Sequence, residues 1–341
     1  MEEIIDFLKS KMTVEEVGGG LTTRHVLGTL NRPISNTIKE IKQYFSTTDF
    51  TPIFDIKKKK HIVRFGIFKK AEDKPKYWLN IILFVATLLS TSFAGYLNYG
   101  DVFLGVLFSL SIMAILTCHE LGHYFVSRKA GMITTLPYFI PVPFHFIGTF
   151  GAVIRMKSIV PDRSSLLRVG MAGPIAGFLV ALPITIIGIA LSEIQVAAEG
   201  ASYLRLGDSL LFALLGRLLH PSIPEGADVF LHPMAFAGWL GFLVTSMNLI
   251  PIGQLDGGHV GYSLFLKQRR YMYIPIFAGL AALGLLWPGW LIWGLLAFFL
   301  ARRDPVIQDS ITPLTTGEKT MVLWPLFILI LTFIPQPFAI W

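Results

Sequence analysis

Cysteine and charged residues are both scarce in this chain of 341 residues. Its one cysteine, Cys118, cannot form an intrachain disulfide, so a secreted disulfide scaffold is excluded. Charged residues make up 15% of the chain, against roughly 25% in ordinary soluble domains. Apolar residues make up 53%, and the mean hydropathy is +0.61. This composition excludes a soluble globule, a disordered chain and a collagen-like fibre, and it predicts a membrane protein.

The net charge of +7 is concentrated rather than spread over a surface. Nine of the 29 basic residues fall between Lys57 and Lys76, with only two acids in the same window. This stretch directly precedes the first long apolar run, as the positive-inside rule requires of a cytoplasmic segment. We therefore expect a lipid bilayer, and no nucleic acid, to be the partner of these charges.

The first 76 residues predict a small cytoplasmic α+β segment. Met1 to Lys11 resembles neither a signal peptide nor a transit peptide, so we expect a cytoplasmic N-terminus and a prokaryotic plasma (inner) membrane. Hydrophobic periodicity then predicts a β-α-β-β order. The predicted elements are a strand Thr23 to Leu30, a helix Ser35 to Phe45, and strands Phe50 to Ile56 and His61 to Phe68.

Residues 77–341 predict a polytopic all-α membrane bundle, because a hydrocarbon core about 30 Å thick requires spans of roughly 20 apolar residues. We count six or seven spans, depending on whether residues 271–300 form one kinked helix or a hairpin broken at Trp287 to Trp290. The predicted spans are Tyr77 to Leu97, Val102 to Val126, Leu166 to Leu191, Val229 to Ile250, Tyr271 to Leu300 and Val322 to Phe338.

The loop charges predict the orientation of these spans. The second span ends at Arg128 and Lys129, which we expect on the cytoplasmic side. The loop Glu193 to Asp228 carries five acids and two basic residues, as expected outside. Arg302 and Arg303 are expected inside, which favours the hairpin.

The clearest chemical signal is the H-E-x-x-H pattern of His119 to His123 in the second span. At positions i and i+4 the two imidazoles project from one helix face and can share a metal ion, while Glu120 can act on water beside it. Ionisable side chains are costly at membrane depth, so such a cluster predicts a functional site. His119 precedes Arg128 by nine residues, or about 13 Å of helix, which places the site near the cytoplasmic side.

A catalytic zinc site of this kind needs a third protein ligand. Asp256 is the candidate, because Pro251 and the neighbouring glycines break the helix at membrane depth, which is tolerated only beside protein or a wet cavity. The second and fourth spans both run inward, so the two motifs end on the same side of the membrane. The alternative is a purely structural role, in which the Asp256 carboxylate caps a helix end.

Four blocks of sequence resemble the site-2 protease family of intramembrane zinc metalloproteases. The resemblance is greatest to the branch that includes prokaryotic members and the plastid proteins named for ethylene-dependent gravitropism deficiency. It extends over most of residues 77–341, with residues 102–260 as the catalytic core. The blocks are His119 to His123, Leu136 to Pro141 leading into Gly148 to Arg155, Ala172 to Gly177, and Asn248 to Gly258.

The resemblance implies peptide-bond hydrolysis within or beside a transmembrane segment of a membrane-anchored protein. It implies that His119, His123 and Asp256 hold one Zn²⁺ and that Glu120 is the catalytic general base. The glycines and Pro174 of the third block are expected to allow close helix packing rather than to contact substrate. Cys118 points about 100° away from His119 on the helix, so we do not expect it to be a ligand.

An intramembrane protease must pair the backbone of an extended substrate. Gly148 to Lys157 predicts a short strand, and its edge, with Gly148 and Gly151, could bind substrate by strand addition. Asn248 could hold a substrate carbonyl or N–H. The alternatives are an ordinary re-entrant loop and an asparagine that joins two helices.

Two other functions remain open from the sequence alone. The same His/Asp cluster could bind a metal ion in transit through a transporter, although no second copy of either motif is present. An inactive relative could bind helices without cutting them, although Glu120 is intact.

Overall fold

The computed structural model describes residues 2–20, 23–57, 59–67, 77–196, 204–224, 226–302 and 304–340. The helices are α1 (Glu2–Lys11), α2 (Ile34–Phe45), α3 (Tyr77–Tyr99), α4 (Val102–Lys129), α5 (Arg163–Ala190), α6 (Leu210–Leu219), α7 (Pro233–Leu249), α8 (Asp256–Phe265), α9 (Arg270–Leu283), α10 (Gly289–Leu300), α11 (Thr316–Met321) and α12 (Leu323–Thr332). A 3₁₀ turn, Leu266–Arg269, joins α8 to α9. The strands are β1 (Met12–Gly19), β2 (Thr23–Leu30), β3 (Thr51–Lys57), β4 (Lys60–Gly66), β5 (Tyr138–Pro141), β6 (Thr149–Val153), β7 (Val160–Asp162), β8 (Glu193–Val196), β9 (Leu204–Leu206), β10 (Ala227–Phe230), β11 (Ile307–Asp309) and β12 (Phe338–Ile340).

The predicted β-α-β-β order of the N-terminal segment is confirmed by β2, α2, β3 and β4, with ends that shift by one or two residues. Ile38, Ile41 and Phe45 line the buried face of α2, as the helical period predicts. The segment also contains α1 and β1, which the sequence did not indicate. Phe68, at the end of the predicted last strand, and residues 69–76, which include four lysines, lie outside the described residues.

The sheet of this segment continues into strands from the rest of the chain. Its order is β1-β2-β4-β3-β11-β7, and β11 runs parallel to both of its neighbours. At the junction, the Ser310 hydroxyl donates to the backbone carbonyl of Phe54 at 2.9 Å, and Ile311 joins the apolar core of the N-terminal segment. The two halves of the chain are therefore linked by backbone pairing.

Among the described residues, three helices, α3, α4 and α5, are long and apolar enough to cross a membrane. Asp101 caps the start of α4 by accepting from the Leu104 amide at 2.8 Å, and Asp162 caps α5 by accepting from the Ser165 amide at 2.7 Å. Both caps set sharp helix starts beside the apolar runs. The outer face of α3 leaves large apolar side chains such as Ile81 and Leu89 exposed, as a lipid-facing helix requires.

The predicted count of six or seven spans is not confirmed. The fourth predicted span is the 17-residue α7, and α9, α10 and α12 contain 14, 12 and 10 residues. Each is shorter than the roughly 20 residues that a perpendicular crossing needs. In residues 271–300 the chain forms two helices, α9 and α10, rather than one, and the rings of Phe277 and Phe298 pack between them with centroids 6.0 Å apart. Arg303, which we expected on the cytoplasmic side, lies outside the described residues.

Helix α4 lies at the centre of the bundle and packs against α3, α5 and α7. Phe108, Trp239 and Phe242 are completely buried in the shared core. The indole N–H of Trp239 donates to the Gly207 carbonyl at 2.7 Å, so its one polar atom is satisfied. The second half of α4, which carries the H-E-x-x-H pattern, is therefore enclosed by other helices.

Strands β5 and β6 form a two-stranded antiparallel hairpin beside α3. The predicted strand Gly148 to Lys157 is present in shortened form as β6. The second edge of β6 pairs with no strand among the residues that the structure describes. Within β6 the Gly151 N–H donates to the Thr149 hydroxyl at 2.9 Å, and the backbone groups without such a local partner remain available for pairing.

Candidate metal centre

The two histidines of the H-E-x-x-H pattern lie one turn apart on α4, inside the bundle. Both are nearly fully buried, with 5% of His119 and 6% of His123 exposed. Their ring centroids are 5.0 Å apart, and the two Nε2 atoms approach to 3.3 Å. The helical spacing therefore brings both imidazoles to one point, as the sequence predicts.

Asp256 reaches the same point from a break between two helices. Helix α7 ends at Leu249 and α8 begins at Asp256, so the intervening loop, residues 250–255, does not continue either helix. Close backbone contacts shape the break: a Cβ on Gly257 would lie 1.9 Å from the Leu249 carbonyl oxygen. Only glycine fits there, which explains the Gly-Gly pair after the aspartate.

The donor atoms of these three residues have the spacing of a zinc site. His119 Nε2 lies 3.2 Å from Asp256 Oδ2, and His123 Nε2 lies 3.2 Å from Asp256 Oδ1. Zinc–nitrogen bonds of 2.0–2.1 Å at tetrahedral angles would separate neighbouring ligand atoms by about 3.4 Å. In the described part of the chain, this is the one group of three His, Cys, Asp or Glu side chains that could share a metal ion. The residues therefore fit zinc, with a fourth position left for water or substrate.

A backbone contact fixes the orientation of one imidazole. His123 Nδ1 lies 2.8 Å from the carbonyl oxygen of Val169 in α5, and only the nitrogen can donate in this pair. The proton is thereby held on Nδ1, and Nε2 is left with a lone pair that points at His119 and Asp256. Such a support on the far side of the ring is typical of histidine ligands.

Two glycines of α5 make room for the rings. A Cβ on Gly173 would lie 2.0 Å from His123 Nε2, and a Cβ on Gly177 would lie 3.0 Å from His119 Nδ1. On α4 itself, a Cβ on Gly122 would lie 2.5 Å from the carbonyl oxygen of Ala172 in α5. The third sequence block thus allows close packing of α5 against α4, as we expected, and the space goes to the imidazoles.

Glu120 lies between the two histidines, and 9% of the residue is exposed. Its carboxylate interacts with the backbone of Ile154, the residue that directly follows β6. The β5–β6 hairpin therefore ends beside the acid of the motif. A chain paired with the free edge of β6 would run close to Glu120.

The three residues that we considered for substrate contact have different surroundings. Gly148, at φ +81°, packs against α3: the Ser90 hydroxyl donates to its carbonyl at 2.6 Å, and a Cβ would lie 2.6 Å from Thr91 Cα. Gly151, at φ +93°, faces open space. Asn248, in the last turn of α7, is half-buried. Of the two glycines, Gly151 is the one with room for a bound chain.

Sequence reasoning missed Arg269, in the 3₁₀ turn after α8. It lies between Lys267 and Arg270 in a basic stretch of sequence typical of an exposed loop, yet only 1% of it is exposed. One of its terminal nitrogens, Nη1, donates to the carbonyls of Gly253 and Gly258, on either side of Asp256 in the sequence. The sequence gives no sign that Arg269 is buried, because it lies in the same basic stretch as two exposed residues.

Comparison with known proteins matches this chain to a peptidase family and to proteins named as zinc metalloproteases. Residues 107–283 match the model of Peptidase family M50. The chain is 34% identical over 234 residues to the probable zinc metalloprotease EGY1, chloroplastic, of Arabidopsis thaliana, which covers 66% of this chain and 42% of that protein. It is 30% identical over 231 residues to the Arabidopsis thaliana EGY2 protein, with 66% and 41% covered. The Oryza sativa subsp. japonica EGY1 protein is 33% identical over 233 residues, with 66% and 39% covered.

The chain thus spans about two fifths of the length of these curated relatives. No solved structure matches it. The matched region contains both histidines, Glu120 and Asp256, and it confirms the resemblance to site-2 proteases. This chain belongs to Peptidase family M50.

Proposed function

We propose that this chain is an intramembrane zinc endopeptidase that hydrolyses peptide bonds within or beside transmembrane segments of membrane-anchored proteins. The observation that supports this most is the convergence of three donor atoms at zinc-ligand spacing, next to a buried glutamate, on a helix of membrane-spanning length. Membership of a peptidase family favours hydrolysis over metal transport.

In this proposal, His119, His123 and Asp256 hold one zinc ion per chain, and Glu120 is the general base. Zinc in such a site lowers the pKa of water toward neutrality and polarises a scissile carbonyl. Glu120 accepts the proton of the attacking water and returns it to the leaving amine. Burial keeps bulk water away from the carboxylate, so its interactions are stronger than they would be at a surface.

The substrate is proposed to bind as an added strand on the free edge of β6. Its backbone amides and carbonyls would pair with the β6 backbone groups that have no partner within the hairpin, which removes the cost of unsatisfied polar groups in a membrane. Gly151 faces open space and leaves room for this strand. Gly148 packs against α3 and so anchors the hairpin to that helix. The Asn248 amide, which can both donate and accept, is proposed to bind the substrate backbone near the metal.

We further propose that the N-terminus and the active site lie toward the cytoplasmic side of a prokaryotic plasma membrane. The basic residues around the first span and at Arg128 and Lys129 support this orientation. Residues 1–76 are then a cytoplasmic segment and residues 77–341 the membrane domain, with the short helices α7, α9, α10 and α12 completing it. The named relatives are chloroplastic, so fractionation of the source cells tests the choice of membrane.

The decisive experiment replaces Glu120 by glutamine. The purified chain in detergent is incubated with a panel of single-span membrane proteins, and the fragments are mapped by mass spectrometry. Glu120→Gln should lower the cleavage rate by about 10³-fold, within the range for loss of a general base, with bound zinc unchanged. Cys118→Ser, two residues away on α4, is the matched control and should retain cleavage.

Two results would contradict the proposal. One is cleavage by Glu120→Gln at the unmodified rate. The other is cleavage that persists after a chelator has removed all zinc, because the proposed chemistry needs the metal. A transporter or a helix-binding relative would keep its activity in the Glu120→Gln variant.

A further inference from the structure

Arg269 is a fully buried arginine at the end of the 3₁₀ turn that follows α8. It is 1% exposed, whereas the side chains of its basic neighbours Lys267 and Arg270 are 57% and 59% exposed. A charge that only sets membrane orientation can stay in water, as these neighbours do. Removing an arginine from water is costly unless its donors are satisfied, so the contacts of Arg269 show what it stabilises.

Those contacts join the two sides of the Asp256 loop. Nη1 donates to the Gly253 carbonyl at 3.1 Å and to the Gly258 carbonyl at 2.8 Å. Gly253 lies three residues before Asp256, and Gly258 lies two residues after it. One guanidinium nitrogen therefore ties the loop to the first turn of α8, with the metal ligand between the two tied points.

The rest of the guanidinium has a counter-charge and two aromatic neighbours, while its buried Nε has no hydrogen-bond partner among the described residues. Nη2 donates to Asp304 Oδ1 at 2.9 Å, which supplies the counter-charge. The guanidinium carbon lies 4.8 Å from the ring centroid of Tyr262 and 5.7 Å from that of Tyr273, distances at which a cation is attracted to a ring face. The planar fork of arginine matches this set of partners, which a lysine ammonium could not reach together.

The backbone N–H of Gly253 is also hydrogen-bonded. Its N–H donates to the Tyr273 hydroxyl at 3.2 Å. Gly253 has φ +55°, a conformation that favours glycine. The residue before Asp256, Leu255, caps α8 without a side-chain hydrogen bond, so the loop has no local side-chain cap to fix where the helix begins.

We propose that Arg269 is a positioning residue that sets the zinc affinity of the site by fixing the backbone on both sides of Asp256. It does not touch the metal or the substrate and is not a catalytic residue. This inference rests on the proposed function, because it assumes that Asp256 is a zinc ligand.

The test measures zinc affinity rather than activity. The full-length chain in detergent is titrated against a chromogenic chelator of known affinity, and the absorption bands of the Co²⁺-loaded protein report the ligand geometry. Arg269→Met should weaken zinc binding by about 10-fold to 100-fold, the effect typical of residues that orient a metal ligand. It should also shift the Co²⁺ bands. Arg269→Lys should fall between Arg269→Met and the unmodified chain.

Arg270→Met is the matched control. Arg270 is the next residue, binds the same Asp304 carboxylate and contacts neither tied carbonyl, so zinc affinity should change by less than about 2-fold. Asp304→Asn keeps the arginine but removes the counter-charge that holds its guanidinium beside the two carbonyls, and it should weaken zinc binding by a few-fold. It decides the question if Arg269→Met does not fold.

The outcomes distinguish a failure of the Arg269 inference from a failure of the proposed zinc site. If the unmodified chain binds one zinc and Arg269→Lys, Arg269→Met and Asp304→Asn keep its affinity and Co²⁺ spectrum, Arg269 is only structural and the inference is overturned. If the unmodified chain binds no zinc, or still binds it after His119→Ala, the proposed metal site itself is wrong. Weakened binding in these variants with an unchanged Arg270→Met supports the inference.

Discussion

The two sides of the metal centre are built in different ways. On one side, a single continuous helix, α4, presents His119 and His123, and the glycines of α5 leave space for the rings. On the other side, Asp256 starts a helix after a break. The backbone around it is hydrogen-bonded by Arg269 and by the Tyr273 hydroxyl, from further along the chain, and Asp304 pairs with Arg269. A helix positions ligands through its own hydrogen bonds, whereas a loop needs side chains from elsewhere to do the same.

This difference predicts which changes affect the metal most. A ligand removed from either side should abolish binding, because three protein donors are the usual minimum for a catalytic zinc site. Changes around the ligands should be graded. On the α4 side they should act through steric contact, and on the loop side through lost hydrogen bonds.

The largest effect is expected from loss of a ligand. His123→Ala and Asp256→Ala should each reduce bound zinc from one ion per chain to none, as measured by elemental analysis after dialysis against a weak chelator. Helical content by circular dichroism should stay unchanged, because α4 and α8 keep their own backbone hydrogen bonds. If either variant retained a full zinc ion, that residue would not be a ligand.

An intermediate effect is expected from Gly173→Ala. The added methyl would lie 2.0 Å from His123 Nε2, so the ring or α5 must move, at a cost of about 1–3 kcal/mol for overpacking. Zinc affinity and thermal stability should both fall. Gly177→Ala, with its closest contact at 3.0 Å, should have a smaller effect. Gly279→Ala, in α9 with open space around the new methyl, is the control, and an equal loss in all three variants would contradict the steric account.

The smallest effect is expected from Tyr273→Phe on the loop side. It removes the hydroxyl that accepts from the Gly253 N–H, a neutral hydrogen bond worth about 0.5–1.5 kcal/mol. Zinc affinity should fall by no more than about 10-fold, the equivalent of 1.4 kcal/mol, and by less than in Arg269→Met. A larger loss in Tyr273→Phe than in Arg269→Met would place the main support of the loop on the tyrosine.

The sequence predicted the α4 side of the centre well and the loop side in part. The i, i+4 spacing of His119 and His123 follows from helix geometry alone, and Pro251 with its neighbouring glycines indicated the break before Asp256. The role of Arg269 could not be predicted, since burial of a charge depends on the tertiary placement of Asp304 and two tyrosines.

The fold shows the same limit. Local periodicity predicted β2, α2, β3 and β4, and the length of apolar runs predicted the three long helices, because each pattern is complete within its own segment. It did not predict that the N-terminal sheet continues through β11 and β7, which depends on a pairing between Phe54 and Asp309, 255 positions apart. The span count is not confirmed, because several of the apolar segments form helices shorter than 18 residues.

The central claim is that two imidazoles of α4 and the carboxylate of Asp256 hold one zinc ion. The most direct test is an anomalous difference map, recorded at the zinc absorption edge, from crystals of the zinc-loaded chain. We predict a single peak per chain, about 2.0–2.2 Å from His119 Nε2, His123 Nε2 and an Asp256 oxygen. A peak at any other group of side chains, or no peak between these three, would contradict the account.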